Sequence, residues 1–158
     1  MDSRTFRKAM GHFATGVTII TTKVGEEIHG MTANAFMSVS LDPKLVAISI
    51  DNRTNMIHKI ETSQKFAVSL LNANQKDLSM YFAGQKQIDV ANCFQYIGDL
   101  PVIKDALAAI ICDVDRHFVV GDHTIYIGRV RDLQIQSGDP LTFYRGQYGS
   151  LQTFQYAN

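Results

Sequence analysis

Apolar and polar positions along this chain change over quickly, and most apolar runs are too short to make more than a strand or a two-turn helix. Ser3 to Phe13 is the first helical stretch. Phe6, Met10 and Phe13 recur at spacings of four and three, and Asp2 or Ser3 can cap its start. Thr15-Gly16 breaks that pattern. Val17 to Thr22 is β-branched throughout, which favours a strand. Gly25-Glu26-Glu27 reads as a hairpin turn, and Ile28 opens a second strand. Leu45 to Ile50 and Phe66 to Leu71 are apolar runs of strand length. Between them Thr54 is placed to cap a helix whose apolar stripe is Met56, Ile57 and Ile60.

A further helix is predicted over Gln75 to Phe82, capped by Asn74 and ended by Gly84. The remainder is strand-like. Ile110, Cys112 and Val114 alternate with Asp113 and Asp115. His117 to Val120 and Thr124 to Val130 flank a turn at Gly121-Asp122-His123, and Leu133 with Ile135 suggests a separate short strand. Gly138-Asp139-Pro140 turns the chain into Leu141 to Tyr144. Strands that do not alternate with long helices exclude a doubly wound parallel sheet. The pattern predicts a mainly β fold, an antiparallel barrel with peripheral helices.

Composition sharpens this in three ways. A chain of 158 residues, 46% hydrophobic and 19% charged, would bury roughly 17,000 Å² on folding and suits a single domain over residues 1–158. Fifteen basic and fifteen acidic residues leave no basic excess, so neither nucleic acid nor an anionic membrane surface is expected as a partner. No apolar run nears the ~18 residues of a membrane span, and Met1 to Lys8 carries no signal-peptide core. The two cysteines, Cys93 and Cys112, form no Cys-x-x-Cys pair. They are expected as reduced thiols in a cytoplasmic protein, Cys112 as packing.

The familiar motifs for phosphate, dinucleotide, serine-nucleophile and zinc chemistry are missing, and five scattered histidines show no metal spacing. Four segments are nevertheless more polar or smaller than packing asks. Thr32-Ala33-Asn34-Ala35 would let a flat ligand approach the backbone, or be a plain loop. The stretch from Ser49 through Ile50, Asp51, Asn52 and Arg53 to Thr54 joins a strand to a helix start, where free N–H groups attract anions; a simple cap explains it equally. Gly121-Asp122-His123 is a polar hairpin tip. Tyr144-Arg145-Gly146 mixes aromatic, cation and glycine as a nucleotide platform or an exposed turn would.

Taken in order, these segments are more specific than any one of them. Phe6-Arg7 to Gly11, Thr15-Gly16-Val17-Thr18, Gly30 to Phe36, Ser38 to Pro43, Phe66 to Leu71, Gln75 with Phe82-Ala83, Gly121-Asp122-His123 and Phe143 to Gly146 follow one another along nearly the whole chain. In this the sequence resembles the flavin reductase-like family, whose fold is the FMN-binding split barrel, an antiparallel barrel of Greek-key type. It is most similar to the small reductase components of two-component flavin monooxygenases. Lys44 departs from a family pattern that often has two prolines there.

The resemblance implies an NAD(P)H:flavin oxidoreductase using FMN or FAD, with NADH or NADPH as co-substrate, active as a homodimer and passing reduced flavin to a partner monooxygenase. It places Thr32, Ala33, Asn34 and Ala35 along the isoalloxazine and ribityl chain, with backbone donors there facing charge on the reduced ring. Ser49, Ile50 and Asp51 would run beside the flavin, Thr54 and Asn55 would hold its phosphate, and Phe82, Ala83 and Gly84 would close the pocket. His123, with Tyr144, Arg145 and Gly146, would hold the nicotinamide nucleotide, His123 orienting it for hydride transfer. Two other functions fit the same residues: a flavin store or redox sensor without turnover, and an enzyme reducing another small acceptor through bound FMN.

Overall fold

In the computed structural model, residues 1–154 are described. The helix α1 (Ser3–Met10) starts where the caps predict. Asp2 takes a hydrogen bond from the Thr5 N–H at 2.7 Å. It stops three residues short of Phe13, because Gly11 begins a tighter turn closed by His12 N–H to Ala9 O and Phe13 N–H to Met10 O. None of its residues is buried, so the Phe6, Met10 and Phe13 stripe lies in the open.

Seven strands make the main antiparallel sheet. They are β2 (Thr18–Val24), β3 (Glu27–Ala33), β4 (Phe36–Leu41), β5 (Lys44–Asp51), β6 (Lys65–Leu70), β9 (Ala108–Val120) and β10 (His123–Ile135). Their spatial order is β3-β2-β6-β9-β10-β5-β4. Two small sheets flank it. One is the hairpin β7 (Phe94–Ile97) and β8 (Leu100–Ile103). The other is formed by β1 (Thr15–Gly16), β11 (Leu141–Tyr144) and β12 (Gln147–Ser150). Two short helices, α2 (Met56–Ser63) and α3 (Lys76–Phe82), complete the chain.

The sheet is not closed by hydrogen bonds. Strands β3 and β4 are its two free edges, as the split barrel implied by the resemblance requires. Both edges nevertheless meet at one end, because only Asn34 and Ala35 separate them in the chain. Three peptide steps from Ala33 to Phe36 span at most ~11 Å, so the twisted sheet must curl until its edges almost touch there. The barrel is split along that seam.

Other differences have local causes. Asn55, not Thr54, is the N-cap of α2, because the Thr54 hydroxyl is spent on the Asp51 carbonyl at 2.9 Å. The cap of α3 is Gln75, not Asn74. Asn72 accepts from the Asn74 N–H, while the Gln75 amide bridges Asn72 and the Lys104 carbonyl. Leu133 and Ile135 form no separate strand. They prolong β10, which pairs with β9 in a hairpin of two 13-residue strands turned at Gly121-Asp122. Strands β1, β4, β7, β8 and β12 are not among the expected elements; Thr15-Gly16, expected as a break, pairs with β11.

The core lies inside the curl. Ile20, Ile48, Ile50, Phe66, Val68, Cys112 and Tyr126 pack with Met56, Ile57 and Ile60 of α2, whose stripe is buried as predicted. Burial pushes the Cys112 thiol up to about 12, in keeping with a packing role. The register shifts between Ile127 and Gly128 of β10, with Asp115 of β9 as the extra residue. A Cβ at Gly128 would lie 2.8 Å from Cys112 Cβ and closer still to the Phe66 ring. Gly128→Ala is therefore expected to destabilise the fold by about 1–3 kcal/mol through overpacking, read as a lower midpoint in urea at an unchanged slope.

Candidate functional site

The seam carries the first candidate segment. Thr32 and Ala33 end β3, Asn34 and Ala35 cross the gap, and Phe36 begins β4. Phe36 N–H donates to Asn34 O at 3.0 Å and Ser49 N–H donates to Ala35 O at 3.2 Å, which holds the crossing against β5. The backbone N–H groups of Asn34 and Ala35 find no acceptor among the described residues, and both residues are exposed. Two adjacent free donors on a rigid crossing suit a ligand edge that accepts hydrogen bonds. Thr32 has a structural task as well, since its hydroxyl donates to the Ser79 carbonyl at 2.7 Å and ties β3 to α3.

Strand β3 and α3 with the residues just after it border two hollows, and the Phe82 ring lines the larger. That ring lies directly on Gly30, where a Cβ would sit 2.7 Å from Phe82 Cε1. The smaller hollow, about 150 Å³, is bordered by Thr32, Ala33, Asn34 and Ala83, with Tyr148 and Phe143 behind. Tyr148 is anchored by a 2.8 Å hydrogen bond between its hydroxyl and that of Ser79. The larger, about 530 Å³, brings Thr54 and Asn55 together with Phe82 and Gly84, residues that sequence reasoning had assigned from separate segments. His29, Lys59, Tyr81 and Gln87 also border it and were missed. Lys59 falls one turn beyond Asn55 on α2, a spacing that could have signalled it. Nothing in the local sequence marks His29.

At the neighbouring end of β5, alternation decides what is presented. Ile50 is fully buried in the core, so its side chain cannot reach a ligand, whereas Ser49 and Asp51 point outward. Strand β4 leaves Ser49 to Asp51 unpaired on its side beyond Ile48, while β10 covers the other. Asp51 is engaged by Arg53, whose guanidinium approaches to 2.6 Å and whose N–H donates at 2.9 Å. These bonds hold the Asp51 carboxyl well below the usual carboxylate range, the side-chain hydrogen bond contributing most.

The proposed nucleotide residues fall around α1. His123 pairs with Asp51 across β5 and β10, and its Nδ1 lies 2.7 Å from Asp122, which lowers the Asp122 carboxyl. With Asp51, Arg53, Phe6 and Arg7 it borders a hollow of about 560 Å³ beneath the start of α1. Tyr144, Arg145 and Gly146 sit at the other end of that helix. Arg145 N–H donates to Gly11 O at 2.9 Å, and the Tyr144 ring meets His12 edge-on. The eight-residue helix spans ~12 Å, so one chain does not gather these four residues around a single hollow. Arg145 and Gly146 both have positive φ, the strained turn of a tight hairpin.

Comparison with known proteins identifies the family of the chain. The flavin reductase like domain matches residues 10–152. An NADH-dependent flavin reductase of a Rhodococcus species is 43% identical over 149 residues, covering 92% of this chain and 85% of that protein. The reductase component of 4-hydroxyphenylacetate 3-monooxygenase from Thermus thermophilus is 36% identical over 147 residues, 92% of this chain and 95% of its own. Among solved structures, the flavin reductase PheA2 in its native state superposes with a TM-score of 0.94 at 55% identity, over 97% of this chain and all of that one.

Because folding depresses the Asp51 carboxyl, its contribution to the β5–α2 turn is complete above the ordinary carboxylate value and is lost only as pH falls well below it. A carboxyl-carbon NMR titration is expected to show Asp51 still ionised through pH 3.9, the ordinary value to within about a unit. In Arg53→Ala the midpoint should return toward that value. An unshifted midpoint in both proteins would refute the pairing.

Proposed function

The chain belongs to the flavin reductase like family, and from that premise we propose how its residues divide the work. It is an NADH-dependent flavin reductase that supplies reduced flavin to a partner monooxygenase. The observation that carries this reading is the match to reductases so named over nine-tenths of the chain, with the seam, the Phe82 wall and the Thr54 corner lying within the matched residues.

The residues present fit a flavin. The hollow at Thr54 and Asn55 has no carboxylate on its wall, contains the Lys59 ammonium, and adjoins the free donors at Asn34 and Ala35 through β3. In the proposed arrangement Thr54 and Asn55 hold the phosphate, and Thr32 to Ala35 border the ring and ribityl chain. Ser49, Asp51 and the backbone of Ile50 run alongside. Phe82, Ala83 and Gly84 shut the pocket from α3. When bound, the flavin supplies the hydride acceptor, since no amino-acid side chain accepts a hydride. His123 orients the nicotinamide and moves no proton, its imidazole being held by Asp122. Tyr144, Arg145 and Gly146 offer the nucleotide a rigid aromatic and cationic turn.

The functional unit in this proposal is a homodimer. Three exposed apolar groups support it: Phe6, Met10 and Phe13 on and after α1, Met37, Val39 and Leu41 on the β4 edge, and Phe118 to Val120 at the β9–β10 tip. Apolar surface of this extent is what an interface covers. Sedimentation equilibrium at micromolar protein is expected to return twice the chain mass. A monomer under those conditions would overturn the dimer. We place the protein in the cytoplasm, where two unpaired thiols stay reduced; no described helix is long and apolar enough to cross a membrane.

The activity is tested by aerobic NADH oxidation with and without added FMN or FAD, for the wild type and for His123→Asn. Flavin-dependent oxidation is expected in both, with KM for NADH raised about tenfold in the variant and kcat changed less, as loss of a positioning contact requires. NADH oxidation that does not depend on flavin would overturn the reductase, and an unchanged KM would overturn the role of His123.

A further inference from the structure

His123 stands at the tip of the β9–β10 hairpin, and within one chain that tip has little to hold it. Strand β6 pairs with β9 only as far as Asp113, with one further bond from the Val114 N–H to the Gln64 carbonyl. From Arg116 to Val120 every residue of β9 is exposed, and β10 alone pairs with it. On the other side β5 covers β10 and ends at Asp51, opposite His123. A two-stranded ribbon is marginal by itself. The place of its tip therefore depends on what fastens it beyond that last pair.

Asn52, the next residue after Asp51, does so with three groups. Its backbone N–H donates to the Asp122 carbonyl at 3.0 Å, its Nδ2 donates to the Gly121 carbonyl at 3.5 Å, and its Oδ1 accepts from the Thr124 hydroxyl at 2.6 Å. The three partners bracket His123 in the chain, two before it and one after. Thr124 is buried, and the Asn52 amide is the partner that its hydroxyl finds. A primary amide suits this place because it donates to a carbonyl and accepts from a hydroxyl at once.

Asn52 is itself well seated. The Arg53 N–H donates to the Asp51 carboxylate at 2.9 Å, and the Thr54 N–H and hydroxyl reach the Asp51 carbonyl at 3.0 and 2.9 Å. The clamp thus runs from a braced turn to the hairpin tip. The 2.7 Å contact between Asp122 and the His123 ring has another task. It sets the ring against its own turn, whereas Asn52 sets that turn against the sheet.

We propose that Asn52 is a positioning residue for the nicotinamide side of the reaction: through Thr124 and the Gly121-Asp122 turn it holds His123 in place. Asn52 touches no reactant in this role and acts through His123. The inference rests on the nicotinamide placement given above.

Steady-state NADH oxidation at saturating flavin, for Asn52→Ala, Thr124→Val, His123→Asn and the double variant of Asn52→Ala with His123→Asn, tests this. Asn52→Ala is expected to raise KM for NADH about fivefold, the size of one net hydrogen bond, and to change kcat less than about twofold. Thr124→Val removes the same bond at nearly constant side-chain volume. It should raise KM similarly, and it carries the test should Asn52→Ala not fold. Flavin affinity, read by fluorescence without NADH, should move less than about twofold in either variant. In the His123→Asn background Asn52→Ala should raise KM no further, because the clamp then has nothing to position. Effects that multiply in the double variant, an unchanged KM in the single variants, or a loss of flavin affinity as large as the rise in KM would each overturn the inference and leave the role of His123 standing. Should His123→Asn itself leave KM unchanged, the nicotinamide placement falls and this inference with it.

Discussion

Strands β3 and β4 are the opposite edges of one seven-stranded sheet, yet two residues join them. That short crossing is the constraint from which the rest of the site follows. A flat sheet of seven strands would hold its edges about 28 Å apart at the usual strand spacing. Asn34 and Ala35 span a fraction of that, so the sheet has to coil around its core. The coil leaves a seam whose backbone donors face outward unsatisfied. An unpaired edge is normally a hazard for aggregation. Here part of the β3 flank lies under α3, through the bond from Thr32 to the Ser79 carbonyl and through the Phe82 ring on Gly30.

The site is thus assembled from elements remote in sequence but adjacent along the seam. The crossing presents its own N–H groups, and α3 walls the groove from one side. The β5–α2 turn, braced by Asp51 and Arg53, closes one end. Each of these surfaces stands on a strand or a short helix, which suits the proposed role of holding flat rings in register. His123 and the Tyr144 turn lie at opposite ends of α1, a helix with no buried residue of its own. Its apolar stripe lies uncovered between those two ends.

Much of this was legible in the sequence, for reasons that differ by element. Runs such as Val17 to Thr22 and Phe66 to Leu71 declare themselves because a strand buried on both faces is β-branched or apolar at nearly every position, and their few hydroxyls are hydrogen-bonded inside. The α2 stripe of Met56, Ile57 and Ile60 is legible because its period matches one buried helix face. The β4 strand was overlooked because its Met37, Val39 and Leu41 face solvent and its serines alternate with them, so its pattern is the reverse of a core strand. Caps were misassigned where a side chain had two suitors. The Thr54 hydroxyl went to the Asp51 carbonyl, and Asn72 rather than Asn74 organised the start of α3.

By itself the sequence determined the mainly β class, the helices that pack on the sheet and the family to which the ordered motifs point, since these depend on local period and on residues read in order. Only the tertiary structure decided where the seam of the split barrel falls, that Ile50 turns its side chain into the core, and that His29 and Lys59 come to share a hollow with Thr54. Those outcomes depend on which edges meet and which faces are covered. Pairing across distances of 25 residues or more is set by the whole sheet at once, and no local pattern carries it.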